Sequence, residues 1–110
     1  MSDINNVVIS GRLGNDPIVK YYETGSVSSE ISVGVNRYST KEQQEKVTWH
    51  ICRAWGKKAE YIGEYAKQGS AVVITGSIEK DVYQDKEGKN RAVSYINIQN
   101  IKILTKKEEN

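Results

Sequence analysis

The sequence predicts an all-β domain with one short helix, a five-stranded Greek-key barrel in which the helix sits between the third and fourth strands. Three observations lead there. Short runs rich in Val and Ile recur along the whole chain, separated by turn residues. Only residues 57–67 carry apolar side chains at helical spacing. The length of 110 residues suits one compact domain and is too short for two ordinary ones.

Each element has its own signal. Val7 to Leu13 is a β-branched first strand, stopped by the turn chemistry of Gly14-Asn15-Asp16-Pro17. Residues 18–22 are extended, and Glu23-Thr24-Gly25-Ser26 turns the chain again. Residues 30–36 alternate cleanly, with Ile31, Val33 and Val35 facing inward. Residues 37–46 are polar and charged, which predicts a long, mobile hairpin loop. Residues 47–55 form the third strand. In the helix, Ala59, Ile62 and Ala66 share one face, Gly69 follows as a terminator, and Gly63 weakens the helix by about 1 kcal/mol relative to Ala. The fourth strand is residues 71–78, followed by a second long polar loop at 84–91. In the last strand, 93–104, the apolar set changes parity between Ile98 and Ile101, so a β-bulge is expected near Gln99. This order is the layout of an OB-fold, a small barrel that binds oligonucleotides on one face and through its loops. The domain spans 1–104, with 105–110 as a short charged tail.

Composition narrows the function classes. Net charge is only +2, so any electrostatic attraction to a polyanion must come from where the charges sit. A single cysteine excludes an intramolecular disulfide and a Cys-rich metal site, and fits a reducing, intracellular setting. The N-terminal residues lack a basic segment followed by an apolar run, and no stretch reaches membrane-spanning length, so neither a secretory signal nor a membrane partner is expected. His50 and Cys52 have no further ligand or orienting group to make a zinc site or a nucleophilic pair, so no enzyme and no cofactor are expected. Gly11, Gly14 and Gly25 do not open a helix as a phosphate-binding loop would, and read as turn or bulge glycines.

The most informative stretch is Trp49-His50-Ile51-Cys52-Arg53-Ala54-Trp55-Gly56-Lys57. As a strand it puts Trp49, Ile51, Arg53 and Trp55 on one face and His50, Cys52 and Ala54 on the other. Both tryptophans of the chain then flank a guanidinium on a flat, cationic, π-rich platform, which suits stacking of unpaired bases. The small opposite face suits a packed core. Arg12, Lys20, Arg53 and Lys57 lie on or beside this face and are the phosphate-contact candidates. Lysines and arginines of the two polar loops are interleaved with Glu and Asp and read as solvated. Tyr21, Tyr22, Tyr61, Tyr65 and Tyr95 are expected in the core or at a subunit interface, with Tyr21 or Tyr22 as a further stacking candidate.

Three blocks add a resemblance. Residues 6–17, residues 49–60 and residues 67–78 resemble, in order and spacing, bacterial single-stranded DNA-binding proteins, and the resemblance covers nearly the whole chain. It implies a homotetramer of OB-folds that coats single-stranded DNA in replication, recombination and repair, without enzymatic activity, metal or cofactor, in a bacterial cytoplasm, an organelle or a phage-infected cell. It implies base stacking on Trp49 and Trp55, and on Tyr38 and Tyr83 at the roots of the two loops, where the family usually has tryptophan. His50 matches a histidine at the family's subunit interface. Two departures stand out. Glu79 and Asp81 lead into Tyr83 where the family often has basic residues, and the chain ends at Lys106-Lys107-Glu108-Glu109-Asn110 without the family's acidic tail, so tail-mediated protein partners are not supported. The contrasting expectation is an OB-fold protein-interaction module of a replication-restart assembly, with weak nucleic-acid binding.

Overall fold

The computed structural model describes residues 3–104. The charged tail expected at 105–110 lies outside them. The elements are β1 (Val7–Leu13), β2 (Ile18–Tyr21), β3 (Val27–Ser39), β4 (Gln44–Trp55), α1 (Lys57–Tyr65), β5 (Ala71–Gln84) and β6 (Asn90–Ile103). They form one sheet in the order β1-β5-β6-β4-β3-β2, and β1 also pairs with β3. That last pairing, Arg12 with Gly34 and Leu13 with Val33, closes five strands into a barrel. Beyond the turn at 14–17 the chain returns to the same edge of β3 as β2, from Ile18 opposite Glu30 to Tyr21 opposite Val27. β2 therefore extends the β1 edge, and the OB-fold barrel keeps its five members. β4 and β6 are parallel, through Cys52–Ile96 and Arg53–Asn97, and a parallel pair needs a long crossover. Here α1 and β5 supply it.

Strand alternation builds the core. Ile31, Val33, Cys52, Ala54, Val72, Ile74, Ile96 and Ile98 are buried inside the barrel. Val35 is half-buried against them. The helix packs Ala59 and Ile62, both fully buried, onto the barrel, with Ala66 buried just past its end. It stops two residues short of the expected end, where Ala66 turns extended while its N–H still bonds the Ile62 carbonyl. Gly63 is explained by space, since a Cβ there would sit 2.8 Å from Val19 Cγ2. The bulge lies at the expected place. Thr75 pairs with Asn100 and Gly76 with Ile98, which leaves Gln99 as the extra residue. It keeps Ile98 and Ile103 inside despite the parity change.

The two expected loops are not loops. β3 and β4 remain paired through Arg37–Lys46, Tyr38–Glu45 and Ser39–Gln44. β5 and β6 stay paired through Tyr83–Arg91 and Gln84–Asn90. Only tight turns at 40–43 and 85–89 join them. Both arms run past the barrel, so most of their side chains meet solvent on either face. The apolar alternation that marks a strand is then not required, and a polar sequence is compatible with pairing.

Asp85 organises the second turn. Its carboxylate accepts from the N–H groups of Glu87 and Lys89, and its Oδ2 lies 2.9 Å from Arg91 Nε. The Arg91 contact, then the backbone bonds, hold its pKa below the ordinary value. A depressed carboxylate pKa contributes stability above the unfolded value of about 3.9, lost as pH falls through the lower folded value. We expect protection of amides 84–90, measured against their intrinsic exchange rates, to fall below about pH 4, and the Asp85→Asn variant to show that lower protection already at neutral pH. Equal exchange in both proteins across that range would refute the role of Asp85.

Cys52 is fully buried, and burial pushes its thiol up to about 12. Since the thiolate is the nucleophile, native protein at pH 8 should resist iodoacetamide and react only after unfolding. Rapid alkylation of folded protein would contradict this packing.

Candidate nucleic-acid interface

Register places one continuous outer face across five strands. On β4 it carries Trp55, Arg53, Ile51 and Trp49, opposite Ser28, Glu30, Ser32 and Gly34 of β3. Pairing of β2 with β3 adds Ile18 and Lys20 beside Glu30 and Ser28. On the other side, Asn97 aligns with Arg53, and β5 adds Glu79, Asp81 and Tyr83 opposite Tyr95, Val93 and Arg91. The face thus combines flat rings, cations and carboxylates in one groove.

Both indoles are on the surface, Trp49 at 56% and Trp55 at 53% exposure, while Cys52 and Ala54 behind them are fully buried. Trp49 lies over two glycines. A Cβ on Gly14 would come within 2.5 Å of its Cζ3, and one on Gly34 within 2.8 Å. Absence of side chains there makes room for the indole against the sheet, and about half of it stays exposed. Trp55 packs one side against Tyr22, ring centroids 6.0 Å apart and planes at 26°. Tyr22 is fixed in turn by a 3.1 Å hydrogen bond between its hydroxyl and Ser28 Oγ. Tyr38 and Tyr83 are exposed, but they stand on the paired arms rather than at loop roots. Their separation from the barrel therefore follows strand geometry.

Tyr21 and Tyr22 lie outside the core and are exposed, Tyr21 most of all, on and just after the short edge strand β2. Tyr22 falls two residues after Lys20, and that spacing was the available sign that both point to the platform. Tyr61 and Tyr65 do pack against the core, 5.2 Å apart between centroids.

The cations differ in freedom. Arg53 is held within the protein. Its Nη1 lies 2.6 Å from Asp81 Oδ2, its Nε 3.6 Å from Glu30 Oε1, and its guanidinium carbon 4.5 Å over the Tyr95 ring. The Asp81 hydrogen bond chiefly, with smaller help from Glu30, raises its pKa above the usual arginine value. Arg53 is therefore a fixed charge at the groove floor. Arg12 emerges on the outer surface beside Gly34 and donates from Nη1 to the Gly69 carbonyl at 3.0 Å. Lys20 is exposed and lines the same groove as Trp55, Tyr22 and Arg53, with a volume of about 400 Å³. Lys57, exposed at the start of α1, borders a smaller hollow beside Trp55. Glu30 and Tyr95 are partners that parity alone did not connect to Arg53.

His50 lies elsewhere. It is half-buried and lines a mainly apolar hollow of about 310 Å³ together with Trp49, Ile51, Ile78 and Ile96. Among the described residues, no group of His, Cys, Asp and Glu could hold a metal ion, and no helix is long and apolar enough to cross a membrane.

A family model described as the single-strand binding protein family matches residues 4–104. The chain is 36% identical over 107 residues to single-stranded DNA-binding protein 1 of Nostoc sp., covering 96% of this chain and 87% of that protein. It is 37% identical over 108 residues to the protein of the same name in Synechocystis sp., covering 97% and 88%. Its identity to single-stranded DNA-binding protein 1 of Xylella fastidiosa is 31% over 114 residues, covering 100% and 84%.

Proposed function

Because this chain belongs to the single-strand binding protein family, we propose that it binds and protects single-stranded DNA by stacking bases on aromatic side chains. The pair of half-exposed indoles on one barrel face, backed by a closed core, is the observation that carries this reading. Bases stack on Trp49 and Trp55 first, and the strand continues along the arms to Tyr38 and Tyr83. Every base has a π-face, so such contacts accept any sequence. Lys20, Lys57, Arg12 and Arg53 track the phosphates. The protein acts by binding alone, without turnover, metal or cofactor, in the cytoplasm during replication, recombination and repair. Several copies, assembled as a homotetramer with His50 at the subunit interface, multiply the contacts along one strand.

Titration with an oligothymidylate, followed by tryptophan fluorescence at two salt concentrations, tests the proposal. Strong quenching is expected. Four neutralised phosphates give a log–log salt slope of about −3, or about fiftyfold weaker binding when salt rises fourfold. Unchanged fluorescence with salt-independent binding would overturn it. A second reading, a protein-docking module with weak nucleic-acid binding, draws on the carboxylates that Glu30, Glu79 and Asp81 place on the same face. That reading predicts no quenching.

A further inference from the structure

We propose that Tyr22 is a positioning residue, which holds the Trp55 indole ready for base stacking and so acts on DNA affinity through Trp55. The inference rests on the binding reading above and adds a residue to it. Trp55 ends β4 and is 53% exposed. It borders two hollows, one shared with Lys20 and Tyr22, the other with Lys57 at the start of α1. A half-exposed side chain without a fixed neighbour samples several staggered rotamers. An indole that must be ordered by the arriving base binds that base more weakly than one ordered in advance.

Tyr22 supplies the fixed neighbour. Its backbone is tied into the turn after β2, where its N–H donates to the Ser26 carbonyl and its carbonyl accepts from the Gly25 N–H, both at 2.9 Å. Its hydroxyl is tied to β3 by the 3.1 Å hydrogen bond with Ser28 Oγ. Ser28 is the register partner of Trp55. Backbone and hydroxyl thus anchor the Tyr22 ring at two ends, and the ring lies against the indole at 6.0 Å between centroids and 26° between planes. Tyr22 is itself exposed, so burial in the core does not account for this placement. The competing explanation is that Tyr22 stacks a base independently of Trp55. The two explanations differ in whether Tyr22 matters once the indole is gone.

The test is a double-mutant cycle of Tyr22→Ala and Trp55→Ala, read as affinity for an oligothymidylate at one salt concentration. With Trp55 present, Tyr22→Ala is expected to weaken binding about three- to tenfold. In the Trp55→Ala background the same change should cost less than about twofold. Tyr22→Phe keeps the ring and loses only the Ser28 bond, and should recover most of the affinity. A second readout is the indole itself. Trp49→Phe leaves Trp55 as the one tryptophan of the chain, and its emission anisotropy in DNA-free protein should fall with Tyr22→Ala and stay high with Tyr22→Phe. Unfolding midpoints should stay near the parent value, as for other exposed positions. Unaltered affinity in Tyr22→Ala, an equal loss in both backgrounds, unaltered indole anisotropy or a large drop in the unfolding midpoint overturns this inference alone. A parent protein that does not bind the oligothymidylate sinks the proposed function and the inference with it.

Discussion

Alanine at both Trp49 and Trp55 is expected to abolish most single-stranded DNA binding while leaving the barrel folded. Each lost base stack is worth about 1–3 kcal/mol, or about fivefold to a hundredfold in affinity for each single variant. The structure says why the fold survives. Trp49 contributes little to the core, because it lies on the outside over Gly14 and Gly34. Trp55 is half-exposed and stacks on Tyr22, itself at the surface. Substitutions at such surface positions usually stay within about 0.5 kcal/mol in stability. The two indoles lie at opposite ends of the platform, opposite Gly34 and Ser28, so their losses should nearly add. Binding by both single variants equal to that of the parent would remove the stacking surface from the account.

Ile74→Ala should have the largest effect on stability. Ile74 is fully buried, and in register it stands between Ile9 of β1 and Ile101 of β6. Its strand is paired on both edges and cannot shift to fill the space. Truncation removes transfer energy and leaves a cavity, a loss of about 2–5 kcal/mol. Domains of this size hold about 5–15 kcal/mol in total, so the urea midpoint should fall sharply with little change in slope. An exposed control on the same sheet, Val8→Ala, should cost far less. A loss below about 1 kcal/mol for Ile74→Ala would contradict the packing.

Much of this was legible in the chain because half-buried strands leave a period of two. Ile31, Val33 and the Cys52–Ala54 pair declared the inner face, and the parity change after Ile98 located the bulge at Gln99. The arms were not legible, since a strand exposed on both sides carries no alternation to find. Arg37 and Lys46 look like loop residues and are cross-strand partners. Parity also put Arg53 with the tryptophans and Asp81 with Glu79 and Tyr83, each correctly on its own strand. That the two faces adjoin is a property of closure. β6 lies between β4 and β5 in the sheet, and Arg53 reaches across it to Asp81, with Tyr95 of β6 under the guanidinium. No local pattern encodes that meeting. The partner of Tyr22 was hidden for a related reason, since it is Trp55, more than thirty residues away in the chain.

In the proposed mode, single-stranded DNA crosses the outer face formed by β2, β3, β4, β5 and β6. Photo-crosslinking of a halogenated-uracil oligonucleotide, with the attached residues identified by mass spectrometry, tests it most directly. Crosslinks at Trp49 and Trp55, with weaker ones at Tyr22, Tyr38 or Tyr83, are the predicted result. Crosslinks confined to Tyr61 and Tyr65 of α1, with both tryptophans unmodified, would contradict it.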